Sequence, residues 1–229
     1  MRILAFSGGK DSMACLHFCR ESIDCAIYVD TGKSYPETQM MVKYAETIAP
    51  VVIVHTSQAE QNEAWGLPFD VVPVDYTHLG QMISGPKPVK IQSYLDCHLQ
   101  NISYPLFAKA KELGATHIFY GQRHSDTHRA AAKDGDVIDE IVRVHPIEGW
   151  SNRDVLDYLK TVMDVPEHYY LRHSSMDCYD CSAFRSETQD RVEYTKQRYP
   201  NFHRKYQERM DMIRQALEAS GYMEKRHGT

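Results

Sequence analysis

The sequence predicts an α/β protein built on a parallel sheet with right-handed crossovers. Short apolar runs recur at "RILAF" (2–6), "DCAIYVD" (24–30) and "VVIVHT" (51–56). Segments with apolar residues at helical spacing lie between them, in "DSMACLHFCRES" (11–22) and from Pro36 onward. Strand, helix, strand, helix, strand at this spacing fits parallel strands joined across the faces of one sheet.

Each element has a local reason. "RILAF" is a short apolar run, as a buried strand requires. Met13 and Leu16 repeat at helical spacing behind it. Pro36 suits a first helical turn, and the helix is expected to run through Ile48. "VVIVHT" is rich in β-branched residues. Residues 57–90 carry Gly80, Gly85, Pro86 and Pro88, which predicts loops and a mobile segment. "YPLFAKAKELGA" (104–115) reads as a helix with a glycine stop, and "THIFYGQR" (116–123) as a fourth strand. "DEIVRVHPI" (139–147) is a candidate fifth strand. "SNRDVLDYLKTVM" (151–163) opens with Ser151 and carries Asp154 three residues on, a capping-box pattern. Two polar helices are expected at roughly 186–199 and 202–220. The resulting division is one domain, 1–185, with a helical extension, 186–229.

The chain has 229 residues, 42% hydrophobic and 25% charged, which argues against a disordered or fibrous protein. A formal charge of −5 gives no global attraction for nucleic acid. No apolar run reaches about 18 residues, so no membrane span is expected. The first residues enter a strand rather than a leader-like apolar region, and a cytoplasmic location is the expectation. Six cysteines are too sparse for a secreted disulfide framework and point to metal or redox use.

The most informative stretch is "SGGKDS" (7–12), between the first strand and first helix. In a parallel sheet ligands bind beyond the carboxyl ends of the strands, where this loop lies. Gly8 and Gly9 permit close backbone approach, a helix N-terminus favours anions, and Lys10 adds a full charge. Ser7 and Ser12 offer hydroxyl donors. Together these suit phosphate oxygens. The stretch is not a Walker A loop, because Leu4 stands where that pattern needs glycine and Asp11 follows the lysine.

"SGGKDS" resembles the PP-loop of ATP pyrophosphatases, which cleave ATP between its α and β phosphates. Further stretches resemble the phosphoadenosine phosphosulfate (PAPS) reductase family in order. They are "YVDTGKSYPET" (28–38), "YGQRHSDTHRA" (120–130), "HPIEGWSNRDVLDYL" (145–159) and "VPEHYYLRHSSMDCYDC" (165–181). The resemblance implies a Rossmann-like, adenine nucleotide alpha hydrolase-like fold. It implies nucleotide contacts from Ser7, Gly8, Gly9, Lys10, Asp11, Ser12, Asp30, Thr31, Gly121, Gln122, Arg123 and Arg129. Lys10, Asp11 and Arg123 become the catalytic candidates, with Asp11 holding Mg²⁺ or the loop. An arginine fork matches phosphate or sulfate in two parallel hydrogen bonds. His124 and His128 share that loop, each more simply a polar residue, and Trp150 reads as core or helix staple.

Cys178 and Cys181 form a CxxC, which reads as metal, cluster or redox pair. The iron–sulfur members of the resembled family carry a Cys-Cys pair where this chain has Asp96-Cys97. The resemblance thus implies Cys97, Cys178 and Cys181 as ligands of a [4Fe–4S] cluster, with zinc or no metal as the alternatives. Asp96, His98 or His173 are candidates for the fourth position. Cys15, Cys19 and Cys25 read as buried fillers.

No cysteine follows Cys181, whereas the resembled sulfonucleotide reductases attack with a cysteine in a C-terminal tail. Those enzymes also usually carry a degraded form of the loop that is intact here. The expected function is therefore ATP cleavage to AMP and pyrophosphate, adenylating an acceptor for iron–sulfur-assisted sulfur transfer. The alternatives are a PAPS or APS reductase using an external thiol, a sulfate or flavin adenylyltransferase-like enzyme, and a non-catalytic nucleotide-binding subunit. Expected partners are an adenine nucleotide, a nucleic-acid acceptor or sulfur-donor protein, and a second copy in a homodimer. The stretch 196–215 is basic with interleaved aromatics, which suits either a nucleic-acid contact or an amphipathic helix pair with solvated charges.

Overall fold

A computed structural model describes residues 1–126, 132–171, 176–185 and 188–222. In chain order, the first elements are β1 (Arg2–Phe6), α1 (Lys10–Cys19), β2 (Cys25–Asp30), α2 (Pro36–Ala45) and β3 (Val51–His55). Next come α3 (Gln58–Trp65), β4 (Leu67–Phe69), α4 (His78–Ser84), β5 (Ile91–Ser93) and α5 (Tyr94–His98). The chain continues through α6 (Tyr104–Glu112), β6 (His117–Tyr120), β7 (Val137–Ile138), β8 (Ile141–Val144) and α7 (Asn152–Val162). It finishes with α8 (Gln189–Arg198) and α9 (Pro200–Ala219).

The residues group into two compact units. The first comprises Met1–Asp30, Ser34–His55 and Tyr104–Leu171. Its six-stranded sheet has the order β3-β2-β1-β6-β8-β7, parallel except for the antiparallel β7–β8 pair. β1 is central, with Ile3 against Cys25 of β2 and Ile118 of β6, and both Ile3 and Leu4 are fully buried. Met13 and Leu16 of α1 pack with Leu4, Phe6 and Phe119, and with Val155 and Leu159 of α7. The capping box at α7 forms as expected: Ser151 Oγ accepts from the Asp154 amide, and Asp154 accepts from the Ser151 amide. α2 stops at Ala45 rather than Ile48. Its last turn tightens to i−3 bonds, Thr47 N to Tyr44 O and Ile48 N to Ala45 O.

The second unit comprises Thr31–Lys33, Thr56–Ser103 and the chain from Arg172 onward. A two-stranded parallel sheet pairs Leu67 with Ile91 and Phe69 with Ser93. Here the structure is more regular than the glycines and prolines of 57–90 suggest. Ser57 caps α3 by accepting from the Glu60 amide, and Thr77 caps α4 by accepting from Gly80. Gly80 does not break α4; it makes room, since a Cβ there would lie 1.9 Å from the Val74 carbonyl oxygen. Gly85, at φ +84°, follows the last residue of α4.

The C-terminal helices pack on the 57–91 segment. Ile213, Ala216 and Leu217 of α9 share one core with Phe69, Tyr76 and Ile91. Residues 56–103 and the C-terminal helices therefore belong to one compact unit. Among the described residues no helix is long and apolar enough to cross a membrane.

Gly80→Ala tests this packing. The new methyl group meets backbone, which cannot rotate away, so a stability loss of about 1–3 kcal/mol is expected in thermal unfolding.

Candidate functional site

The loop after β1 is held closed by its own serines. Ser12 Oγ donates to the Gly9 carbonyl at 2.9 Å and accepts from the Ser7 amide at 3.3 Å. Ser7 Oγ lies 3.1 Å from Ser12 Oγ and accepts from the Gly9 amide at 3.3 Å. Ser12 is thus a staple inside the loop, whereas Ser7 is exposed. The two glycines are not equivalent. Gly8 has φ +76°, and a Cβ there would lie 2.9 Å from Thr38 Cγ2. Gly9 has an ordinary φ of −78° and forms the N-cap of α1, with no side chain to cap the first amides. The Gly8 carbonyl accepts a 2.8 Å hydrogen bond from the Tyr169 hydroxyl.

Arg123 lies beyond the end of β6 and is 5% exposed. Its Nε is 3.1 Å from Asp11 Oδ1. Its Nη2 donates to Asp126 Oδ1 at 2.9 Å, and its backbone amide donates to Asp126 Oδ2 at 2.8 Å. Nη1 is buried with no hydrogen-bond partner. Lys10 Nζ lies 3.5 Å from Asp11 Oδ2. Two cations thus face two carboxylates. Burial pushes the Asp11 carboxyl above its ordinary value, although Lys10 and Arg123 pull it down. Gly121 permits this assembly, because a Cβ there would come within 2.8 Å of the Asp11 carbonyl and the Ser12 amide.

Gln122 is half-buried beside Arg123 in the chain. Asp30 ends β2, accepts from Ser34 Oγ at 3.3 Å and lies 3.7 Å from His55 Nδ1. Asp126 and Tyr169 belong to the site although no motif marks them in the sequence. Asp126 sits three residues after Arg123, the spacing of a local backbone-capping carboxylate, and that was its one visible signal. Trp150 packs edge-on against Phe18 and Tyr158. His124 is exposed, and its amide donates to the Glu148 carbonyl. Arg129, His128 and His173 lie outside the described residues.

Thr31 belongs to the second unit, together with the cysteines. Its Oγ1 is 3.5 Å from Cys178 Sγ. Burial, reinforced by Cys181, raises the Cys178 thiol well above its ordinary value. Cys97 is pushed up to about 12, by burial first and Cys181 second. Asn101 Nδ2 donates to Cys97 Sγ at 3.5 Å, and Sγ donates to Asn62 Oδ1 at 3.7 Å. Asp180, between the two cysteines of the CxxC, is buried and binds Lys33 at 2.8 Å and Arg209 at 3.2 Å. Arg191 Nη2 donates to the Cys181 carbonyl at 3.1 Å. Arg191 and Arg209, from the basic C-terminal helices, thus hold the cysteine loop. Cys15, Cys19 and Cys25 are buried, as expected of fillers.

The donor chemistry of the three thiols suits iron or zinc. Their placement does not: among the described residues no three His, Cys, Asp or Glu stand together closely enough to hold a metal ion. Asp96 and His98 are exposed on α5.

The family model described as "Phosphoadenosine phosphosulfate reductase domain" matches residues 2–184. No match is found among curated proteins. Among solved structures the chain is similar to the PAPS reductase of Candida auris, solved as a phosphate complex, at 19% identity. That match covers 70% of this chain and 71% of the other, with a TM-score of 0.47.

The raised Asp11 carboxyl gives a prediction with a definite sign. The folded protein holds a proton there more readily than the unfolded chain, so stability falls as pH rises from the ordinary carboxylate value through the raised one. Asp11→Asn removes this titration, so the variant is expected to lose that part of the fall in urea midpoint that the wild type shows as pH rises from about 4 to about 7.

Proposed function

The chain belongs to the phosphoadenosine phosphosulfate reductase domain family, and within that family we propose that it is an ATP-using adenylating enzyme. The observation that carries this reading is the convergence of cationic and amide donors on the loop after β1. Lys10 and the uncapped first amides of α1 stand there, and Arg123 brings a buried Nη1 with no hydrogen-bond partner. A buried, unpartnered guanidinium nitrogen is costly unless a ligand oxygen completes it. Such a set matches the triphosphate of ATP better than a nucleoside monophosphate, which needs no grip on a leaving pyrophosphate.

In the reaction we infer, an acceptor oxygen attacks the α-phosphorus in line. The new bond joins that oxygen to the α-phosphorus, and the bond from the α-phosphorus to the bridging oxygen breaks. Pyrophosphate leaves with the electron pair. Lys10, the loop amides and Arg123 bind the departing oxygens and balance the charge that gathers on them. The loop holds the chain of phosphates in one orientation, which is the other large contribution. Mg²⁺ would be held by Asp11, whose buried Oδ1 accepts no hydrogen bond although the Arg123 guanidinium lies 3.1 Å away, and carboxylate oxygen is a ligand this hard cation prefers. When bound, Mg²⁺ neutralises phosphate charge.

A second reading starts from the CxxC turn, where the Cys181 amide donates to the Cys178 carbonyl at 3.2 Å. Sulfur transfer to the adenylated acceptor would use such thiols. Because the thiols do not form a metal site as placed, no step is routed through a cluster.

Pyrophosphate release from ATP and Mg²⁺ tests the first reading, with sulfate, flavin mononucleotide and RNA as acceptors. Lys10→Ala is expected to lower the rate by about a hundredfold or more. Tight ATP binding without release would replace the enzyme with a nucleotide-binding subunit. Iron and acid-labile sulfide analysis of protein purified without oxygen tests the second. About four irons per chain would support a cluster, and iron-free protein leaves adenylation alone.

A further inference from the structure

Tyr169 lies in a short 3-10 turn, Glu167–Tyr170, 161 residues away from the loop it touches. It is 3% exposed, and its hydroxyl donates to the carbonyl of Gly8 at 2.8 Å. Burial pushes the phenol above its ordinary value, so it remains a donor across the physiological range.

The peptide that joins Gly8 to Gly9 is planar and trans, so its N–H points opposite to its C=O. Anchoring the Gly8 oxygen inward therefore fixes the Gly9 N–H outward, where it meets Ser7 Oγ on the exposed side of the loop. A glycine pair is the sequence in which such a peptide turns over most easily, since neither residue carries a Cβ to resist. Turned over, the unit would aim a carbonyl oxygen at the place where phosphate oxygens bind and would repel them. Without the hydroxyl, the buried Gly8 oxygen loses its partner, and turning toward water becomes the cheaper state.

We propose that Tyr169 is a positioning residue that locks the Gly8–Gly9 peptide in its anion-binding orientation. It thereby gives the site its preference for ligands carrying a pyrophosphate group. The proposal rests on the phosphate-binding reading of the loop, and it adds which residue holds that loop in the competent state.

The geometry also supplies a rescue. Turning the peptide over rotates Gly9 from φ −78° into the positive region that alanine resists. Space exists for alanine at that position, since a Cβ there would lie 3.4 Å from Ser7 Oγ. Gly9→Ala therefore opposes the turned-over state by another route, and the two changes form a double-mutant cycle.

The experiment is calorimetric titration of the full chain with inorganic pyrophosphate and, separately, with AMP. Tyr169→Phe is expected to weaken pyrophosphate binding roughly tenfold and to leave AMP binding unchanged. In the Gly9→Ala background the same substitution is expected to cost less than about threefold. Equal loss for both ligands, equal loss in both backgrounds, or no loss at all overturns the lock. Amide spectra of wild-type protein labelled at glycine give a check that needs no variant. The Gly9 signal must move on adding pyrophosphate, and a stationary signal in protein that binds the ligand also overturns the proposal. Wild-type protein that binds no pyrophosphate would instead reject the phosphate-binding reading itself, and the lock with it.

Discussion

A guanidinium buried at the carboxyl end of a parallel sheet constrains everything around it. Arg123 carries its charge at 5% exposure, where water cannot solvate it, so counter-charge must come from the protein. Asp126 supplies one carboxylate and grips the arginine by both its amide and its side chain. Asp11 supplies the other from the first turn of α1. For the two carboxylates to reach the same side chain, the strand end must lie against the helix N-terminus, and only a residue without a side chain fits at Gly121. The loop shape, the glycine and the ion pairs are consequences of one charge in one place.

The arrangement is balanced but strained. Burial disfavours the charge on Asp11, and Lys10 and Arg123 offset part of that cost. Arg123 Nη1 and Asp11 Oδ1 lack hydrogen-bond partners while buried. Groups held this way lower the stability of the free protein and raise its affinity for whatever completes them, the usual trade between stability and function. A polyphosphate with its cation would complete both at once, since it brings acceptors for the guanidinium and a metal for the carboxylate.

The second unit solves a different problem. Its segment 56–103 has few long apolar runs, and α9 brings Ile213 and Leu217 to Phe69 and Ile91 to make a core. The C-terminal helices also place Arg191 and Arg209 on the backbone of the CxxC loop, and Asp180 returns a carboxylate to Lys33 and Arg209. Much of the basic character read along this stretch is therefore used within the protein. Arg204, Arg214 and Lys196 each lie beside an acidic residue of the same helix, which further lowers the net field of that surface.

The sequence by itself determined what neighbouring residues decide. The strands at 2–6, 25–30 and 51–55, the helix at 10–19 and the cap at Ser151 follow from short apolar runs, helical spacing and hydrogen bonds spanning three residues. The loop at 7–12 was legible for the same reason, as glycines, a lysine and serines stand together in the chain. Within 57–90 the glycines and prolines predict loops, yet helices form there because Ser57 caps one at the Glu60 amide and Gly80 serves close packing rather than a break. Only the tertiary structure decided that Ser12 faces into the loop, that Gly8 but not Gly9 needs its positive φ, and that Thr31 joins the cysteine unit. Only it brought Tyr169 to Gly8 across 161 residues, and α9 into one core with 67–91. Those outcomes depend on which surfaces are buried together, and burial is settled by shape and charge over the whole chain, beyond the reach of a local pattern.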